Sequence, residues 1–299
     1  MRLTAGGGAA KLRAMSEGGF RCVTIVGVGL LGGSLGLALK ARSPSVRICG
    51  VGRRRSSLDE ALACGAIDEA YLEAADPARD SDLVVLATPV GAFEKHLRDI
   101  APVLDDDAVV TDVGSTKAFV VRAAQRALGR DGPFVGSHPM AGSEKKGVAH
   151  ASADLFEGAT CVITPMPAAP AAAAERIEKL WRSLGMRTLR MSPEQHDRAV
   201  AAVSHMPHAL SAILALLPED EQLDVAATGF RDMTRLAGGD PEVWRDILVT
   251  NRDAIVESLD AMDESLARLR DMLELADAPG IEALLGEAKA RRDQHNNGS

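Results

Sequence analysis

A chain of 299 residues, 46% hydrophobic and 25% charged, is long enough for two domains with their own cores and has the make-up of an ordinary water-exposed protein. Its formal net charge of -8 excludes nucleic acid or an anionic membrane as a bulk partner, because both select a positive surface. Cys22, Cys49, Cys64 and Cys161 are scattered, without Cys-x-x-Cys or a nearby histidine pattern, so reduced thiols are expected and no metal.

Residues 1–20, with Gly6, Gly7 and Gly8 in series, read as a flexible leader in which Met15 is an alternative start. No signal-peptide segment and no apolar run long enough for a bilayer stand out, so a cytoplasmic location is expected. The chain then reaches Val23-Thr24-Ile25-Val26-Gly27-Val28-Gly29-Leu30-Leu31-Gly32, a β-branched run followed by glycines in G-x-G-x-x-G spacing. Gly27 suits a sharp turn, Gly29 leaves room for a pyrophosphate and Gly32 lets helix and strand approach closely. Leu30 and Leu31 open the helix, whose free N–H groups and dipole favour a diphosphate.

A second strand over residues 46–51 leads into Gly52-Arg53-Arg54-Arg55-Ser56-Ser57. In NAD-binding versions of the fingerprint an acid about twenty positions past the last glycine holds the ribose 2′-hydroxyl. Here glycine stands in that region and arginines follow. Guanidinium and hydroxyl groups bind a 2′-phosphate that a carboxylate would repel, so Arg53, Arg54 and Ser56 join the cofactor candidates and NADP is favoured over NAD. A solvated basic loop is the alternative.

Residues 58–64 read as a helix ended by Gly65, and residues 81–87 as a buried strand running into Thr88-Pro89-Val90-Gly91. A helix over 93–100 and a strand over 108–112 follow, the latter ending at Gly114-Ser115-Thr116-Lys117. Strand ends of this kind face the cofactor crevice, which makes Thr88, Pro89 and Gly114 cofactor candidates. Next comes Gly136-Ser137-His138-Pro139-Met140-Ala141-Gly142-Ser143-Glu144, with His138 expected in a loop at a sheet edge, and residues 160–164 read as the last strand. Alternating strands and helices imply a parallel sheet covered on both faces.

After a closing helix over 171–184, strand–helix alternation is expected to stop, which divides the chain into domains at 21–188 and 189–299. Ser192-Pro193-Glu194-Gln195 has the form of a capping box with proline at the first helical position. His205 and His208 share a helix face, and Pro207 between them should kink that helix. Asp240-Pro241 opens another helix, and an apolar stripe from Trp244 to Leu273 is too long for one small domain to cover, which suggests a second subunit.

Gly136-Ser-His-Pro-Met-Ala-Gly142, Ser204-His-Met-Pro-His208, Phe230-Arg-Asp-Met-Thr-Arg235 and Trp244-Arg245-Asp246, in that order behind the glycine fingerprint, resemble the prephenate dehydrogenase family. That family includes arogenate and cyclohexadienyl dehydrogenases of tyrosine biosynthesis. The resemblance implies an α/β N-terminal Rossmann-type doubly wound parallel sheet followed by an all-α helical dimerisation domain. It implies oxidative decarboxylation of a small substrate, prephenate or arogenate, with hydride transfer to NADP or NAD. It also implies roles for single residues. His138 matches the catalytic histidine that hydrogen-bonds the ring hydroxyl, and Ser115 matches the serine that orients it. His208 matches a histidine near the substrate with His205 as support, Arg235 an arginine that holds a substrate carboxylate, and Trp244 a tryptophan that closes the pocket. Ser143 and Glu144 match positions that shape side-chain selectivity. Two departures are visible, the basic segment after Gly52 and Lys146 in place of a small residue. Neither end is long enough for the fused mutase or regulatory domain of some members. The competing readings are a β-hydroxyacid dehydrogenase or pyrroline carboxylate reductase, or a non-catalytic NADP sensor that has no need of His138, Ser115 and Arg235 together.

Overall fold

A computed structural model describes residues 19–142, 145–166 and 168–297. The β-branched run becomes strand β1 (Cys22–Val26), buried along its length, and the glycine turn feeds helix α1 (Leu30–Arg42). In chain order there follow β2 (Arg47–Val51), α2 (Arg55–Ala63), β3 (Glu69–Tyr71), α3 (Ala75–Ala78), β4 (Leu83–Leu86), α4 (Phe93–Ile100), β5 (Val109–Asp112), α5 (Ala118–Leu128), β6 (Phe134–Pro139), β7 (Thr160–Pro165), α6 (Ala171–Ser183) and β8 (Arg187–Arg190). The strands form one eight-stranded sheet in the order β3-β2-β1-β4-β5-β6-β7-β8. The order reverses between β1 and β4, as a doubly wound sheet requires, and the crevice at that point is where such sheets bind ligands.

Both faces of the sheet are dry. Val23, Ile25, Leu83 and Val85 point to one face, against Leu35, Leu39, Phe156 and Trp181. Val26, Val84 and Leu86 point to the other, against Phe93, Leu97, Ile100 and Val120. Alternate residues of a strand face opposite ways, so strands covered on both sides read as continuous apolar runs.

Four expectations are corrected. The sheet is parallel except between β6 and β7, which pair antiparallel; among the described residues of the link between them there is a 3₁₀ turn, Val148–His150, and no full helix of the kind a parallel crossover needs. Residues 160–164 are not the last strand, because β8 follows α6 and pairs parallel with β7. Its sequence, Arg-Thr-Leu-Arg, is an exposed edge and offers no apolar run, and it carries the sheet past the expected boundary at 188. Phe20, grouped with the leader, is fully buried in the sheet core, with the Arg176 guanidinium 4.4 Å above its ring. Residues 1–18 of the leader lie outside the described residues.

From residue 193 the chain is helical: α7 (Pro193–Val200), a π turn (Ala201–His205), α8 (Met206–Leu216), α9 (Asp220–Leu223), α10 (Thr228–Thr234), a 3₁₀ turn (Arg235–Gly238), α11 (Pro241–Thr250), α12 (Arg252–Glu274) and α13 (Ala278–Asn297). The capping box forms as expected, Gln195 N–H donating to Ser192 Oγ at 3.1 Å and Ser192 N–H to Gln195 Oε1 at 3.0 Å. The break near Pro207 is a π turn, which frees backbone groups where the ring cannot donate. Pro193–Leu216 is a 24-residue helical run in which an 18-residue stretch has mean hydropathy 1.5, long and apolar enough by length and composition alone to cross a membrane, which the sequence reading overlooked. Its buried side carries His196, Asp197, His205, His208 and Ser211 into the protein beside Val200 and Ala201. The fourth correction concerns the apolar stripe, which is not one helix: it divides at Asn251, between α11 and α12.

Candidate active site

A cavity of about 690 Å³ opens where the C-terminal ends of β4, β5 and β6 meet the helical half. Leu30, Leu31, Thr88, Pro89, Gly114, Ser115 and His138 line it from the sheet side, and His205, His208, Arg235 and Trp244 from the helices. Residues more than two hundred positions apart in sequence, from Leu30 to Trp244, are thus brought to one place. Gly27, Gly29 and Gly32 form the turn beside it, outside its lining, and Arg53, Arg54 and Ser56 are exposed at the end of β2. Ser143 and Glu144 lie outside the described residues.

The glycine turn fits a dinucleotide. Gly27 has φ +104°, and a Cβ there would meet the Ala87 carbonyl at 2.7 Å. A Cβ on Gly32 would fall 2.0 Å from the Gly27 oxygen, so α1 can pack this tightly on β1 only without a side chain there. At Gly29 a Cβ would meet nothing within 4 Å, which leaves open space in front of α1. No side chain caps that helix and no acid lies in its first turn, so its N–H groups remain available to an anion.

His138 lies in β6 itself rather than in a loop after it, because the strand runs through Pro139 while pairing with β7. The strand is locked from below. Buried Lys117 pairs with Asp112 and donates to the Ser137 carbonyl at 2.9 Å, and Ser137 N–H donates to Asp112 Oδ1 at 3.0 Å. His138 Nδ1 sits 2.8 Å from His196 Nε2, and His196 Nδ1 lies 2.7 Å from Asp197 Oδ1. Asp197 in turn accepts from the Lys117 and Ala118 N–H groups at 2.7 and 2.8 Å, at the start of α5. Burial above all, then the neighbouring His196, Lys117 and His205, hold His138 well below the ordinary imidazole range. His138 is therefore neutral at physiological pH.

On the helical side, Asn251 Nδ2 donates to the Asp197 carbonyl at 2.8 Å and to His205 Nδ1 at 3.0 Å. Desolvation pushes His205 down to about 4. Trp244 stacks on His208, ring centroids 3.4 Å apart and 14° from parallel, and meets His205 edge-on at 6.1 Å. Gly239 lies against this stack, for a Cβ there would reach Trp244 Nε1 at 2.5 Å. Lys146 ties its loop to Asp240 at 2.5 Å, while Asp240 caps α11 by accepting from Glu242 N–H at 2.8 Å. The Lys146 ammonium first, and the helix N–H next, hold the Asp240 carboxyl below its usual range.

The sequence reading passed over His196, Asp197, Asn251 and Gly239. A histidine next to an aspartate just inside a capping box was the available signal for the first two, since the first turn of a domain's leading helix faces what precedes it. Nothing comparable marks Asn251 or Gly239.

A dinucleotide turn at the switch point of a doubly wound sheet, facing a cavity with a neutral histidine and closed by a helical domain, defines a two-domain nicotinamide-dependent dehydrogenase. Comparison with known proteins narrows this. Residues 35–190 match the family model "Prephenate dehydrogenase, nucleotide-binding domain" and residues 192–287 match "Prephenate dehydrogenase, dimerization domain". A prephenate dehydrogenase of Bacillus subtilis is 36% identical over 280 residues, covering 91% of this chain and 75% of its own length. The crystal structure of prephenate dehydrogenase from A. aeolicus, in complex with hydroxyphenyl propionate and NAD+, superposes with a TM-score of 0.86 at 32% identity, covering 92% of this chain and 98% of that one. Synechocystis arogenate dehydrogenase gives a TM-score of 0.79 at 29% identity, covering 92% and 99%. The chain belongs to the prephenate dehydrogenase family. It is an NAD(P)-dependent dehydrogenase that oxidises and decarboxylates prephenate or arogenate.

Proposed function

We propose that the substrate binds in the cavity between β6 and the helical domain, with His138 accepting the ring hydroxyl proton, Arg235 anchoring a carboxylate and the His208–Trp244 stack walling the ring. The observation that carries this reading is His138: a buried, neutral imidazole on a rigid strand, lining the same cavity as Arg235. When bound, the nicotinamide supplies the hydride acceptor. The chain's own work is positional and protolytic. Ser115, at the turn after β5, lines the same cavity as His138. As the carbinol hydrogen departs, the hydroxyl becomes acidic and His138 takes its proton. Loss of carbon dioxide then yields an aromatic ring, which supplies the driving force. Nicotinamide absorbance, followed with prephenate and with arogenate as separate substrates, tests the assignment; turnover of neither overturns it.

The cofactor is proposed to be NADP. A Cβ on Gly52 would stand 3.3 Å from Leu58 Cδ2, a tight approach that the leucine tip would have to yield to by a few tenths of an ångström. Beyond it, α2 begins without a side-chain cap or an acid in its first turn, and Arg53 and Arg54 are exposed in front of it. This is a site for a 2′-phosphate. NADP should show the higher kcat/KM, and replacing Arg53 and Arg54 with alanine should weaken NADP while leaving NAD nearly untouched. Preference for NAD in the unmutated enzyme makes the segment a solvated surface only.

The working form is proposed to be a homodimer through the helical half. Val203, Ile213, Leu216 and Leu217, at 74%, 52%, 84% and 69% exposure, leave an apolar side of the π turn and α8 in water, and Val256, Leu266 and Leu273 do the same on α12. The match of this half to the dimerization-domain model supports a second copy as the cover. Light scattering at micromolar concentration should report two subunits, and a fully active monomer would refute it.

A further inference from the structure

We infer that His196 and Asp197 are positioning residues that fix the tautomer of His138, so that its bare Nε2 faces the substrate. The inference rests on the proposed role of His138 as proton acceptor and follows from a chain of donors and acceptors that has only one consistent reading. Asp197 is spoken for on both oxygens: Oδ1 accepts from Lys117 N–H and Oδ2 from Ala118 N–H, at the positive end of α5. A carboxylate held there is ionised and can only accept. The 2.7 Å contact to His196 Nδ1 is therefore an N–H of His196 donating to Asp197. With His196 neutral, its Nε2 carries no hydrogen and must accept across the 2.8 Å contact to His138. The donor is then His138 Nδ1–H. One hydrogen remains on that ring, and it is not on Nε2.

Geometry supports a fixed device. His196 is fully buried and His138 is 9% exposed, their rings meeting edge-on with centroids 5.1 Å apart. His138 belongs to the sheet domain, whereas His196 and Asp197 stand on the first helix of the helical domain. The base is thus aimed by the same helix that begins the substrate-closing half, and Asn251 holds that helix by donating to the Asp197 carbonyl. The other charged or titratable groups facing His138 are Lys117, paired with Asp112 beneath the strand, and His205 from the π turn. None of these can serve as acceptor for Nδ1–H in place of His196: Lys117 only donates, and His205 Nδ1 is engaged by Asn251.

In the reaction the substrate O–H bond breaks and an Nε2–H bond forms on His138, while the carbinol C–H electron pair leaves as hydride to the nicotinamide. The resulting imidazolium keeps donating through Nδ1 to His196, whose own Nδ1–H remains on Asp197. The acceptor behind the base thus keeps the ring oriented through the transfer, as a carboxylate does behind a catalytic histidine elsewhere.

The test combines ¹⁵N NMR of the histidine tautomers in the intact enzyme with steady-state kinetics of three variants. In the unmutated protein His138 should appear as the Nδ1–H form; finding the Nε2–H form overturns the inference without any assay. His196→Leu removes the acceptor and should lower kcat by about 10²-fold with the KM values for substrate and cofactor within about twofold, and His138 should shift towards Nε2–H. His196→Gln offers an amide oxygen at a similar place, so it should restore the Nδ1–H form and recover turnover to within about tenfold of the unmutated enzyme. If His196→Leu turns over normally and keeps the Nδ1–H form while His138→Asn is inactive, His138 remains the base and the positioning role is lost. If His138→Asn itself turns over normally, the base assignment falls, and the inference with it.

Discussion

His138→Asn is expected to bind NADP and substrate with nearly unchanged affinity while losing about 10²–10⁴ in kcat, the ordinary contribution of a general base. Asparagine keeps much of the shape and a hydrogen-bond donor towards His196, but it has no nitrogen that can take a proton. The loss should therefore sit in kcat rather than in KM. Turnover that stays high, or that falls only because cofactor no longer binds, returns His138 to a structural role in β6. Cofactor titration by fluorescence separates these outcomes.

The pH profile carries the same argument with a definite sign. The base works unprotonated, so kcat/KM falls as pH drops through the pKa of His138 in the free enzyme. From sequence alone that limb belongs within about a unit of 6.5, the value for free imidazole. The structure moves it. Desolvation and the nearby His196, Lys117 and His205 all disfavour the imidazolium, so the limb should lie well to the acid side of 6.5, leaving kcat/KM flat through neutrality. In whatever activity His138→Asn retains, this limb should be missing. A limb centred at or above 6.5 in the unmutated enzyme would mean that water reaches the ring.

Much of the nucleotide half was legible because its signals are local. The buried β-branched strand, the glycine spacing after it, and the amphipathic helix Phe93–Ile100 each depend on neighbours in sequence, and each forms where expected. The capping box at Ser192 is equally local. What escaped depends on partners far along the chain. β8 is made of exposed residues and exists because β7 offers it an edge. The reversal of β7 goes with a connection whose described residues hold a 3₁₀ turn and no crossover helix, and the number of residues in the link does not reveal that. His138 could be singled out by its motif, but its partner His196 lies 58 residues away on another domain. The break at Asn251 is invisible in periodicity, because apolar residues continue in step on both sides of it; only the side chain's engagement with Asp197 and His205 explains why the helix turns there.

Arg235→Gln is expected to cost about 2–5 kcal/mol in kcat/KM, the range for removing one partner of a charge pair that substrate desolvates. The guanidinium stands at the start of the 3₁₀ turn after α10 and lines the cavity, yet it is exposed in the free enzyme. Hydration that must be stripped away on binding offsets part of the gain, which places the expected loss in the lower half of that range. Glutamine can still donate one hydrogen bond but carries no charge, so KM for substrate should rise while cofactor affinity holds. Arg235→Lys makes the sharper comparison. It keeps the charge and loses the fork that meets both carboxylate oxygens at once, and should recover only part of the deficit if the contact is bidentate. Full recovery by lysine would mean a point charge suffices. An unchanged KM in both variants would move the anchor to another cation on the cavity wall, where Lys145 and Lys146 also stand. The Lys146 ammonium is already paired with Asp240, so drawing it to a substrate would break the tie between its loop and α11.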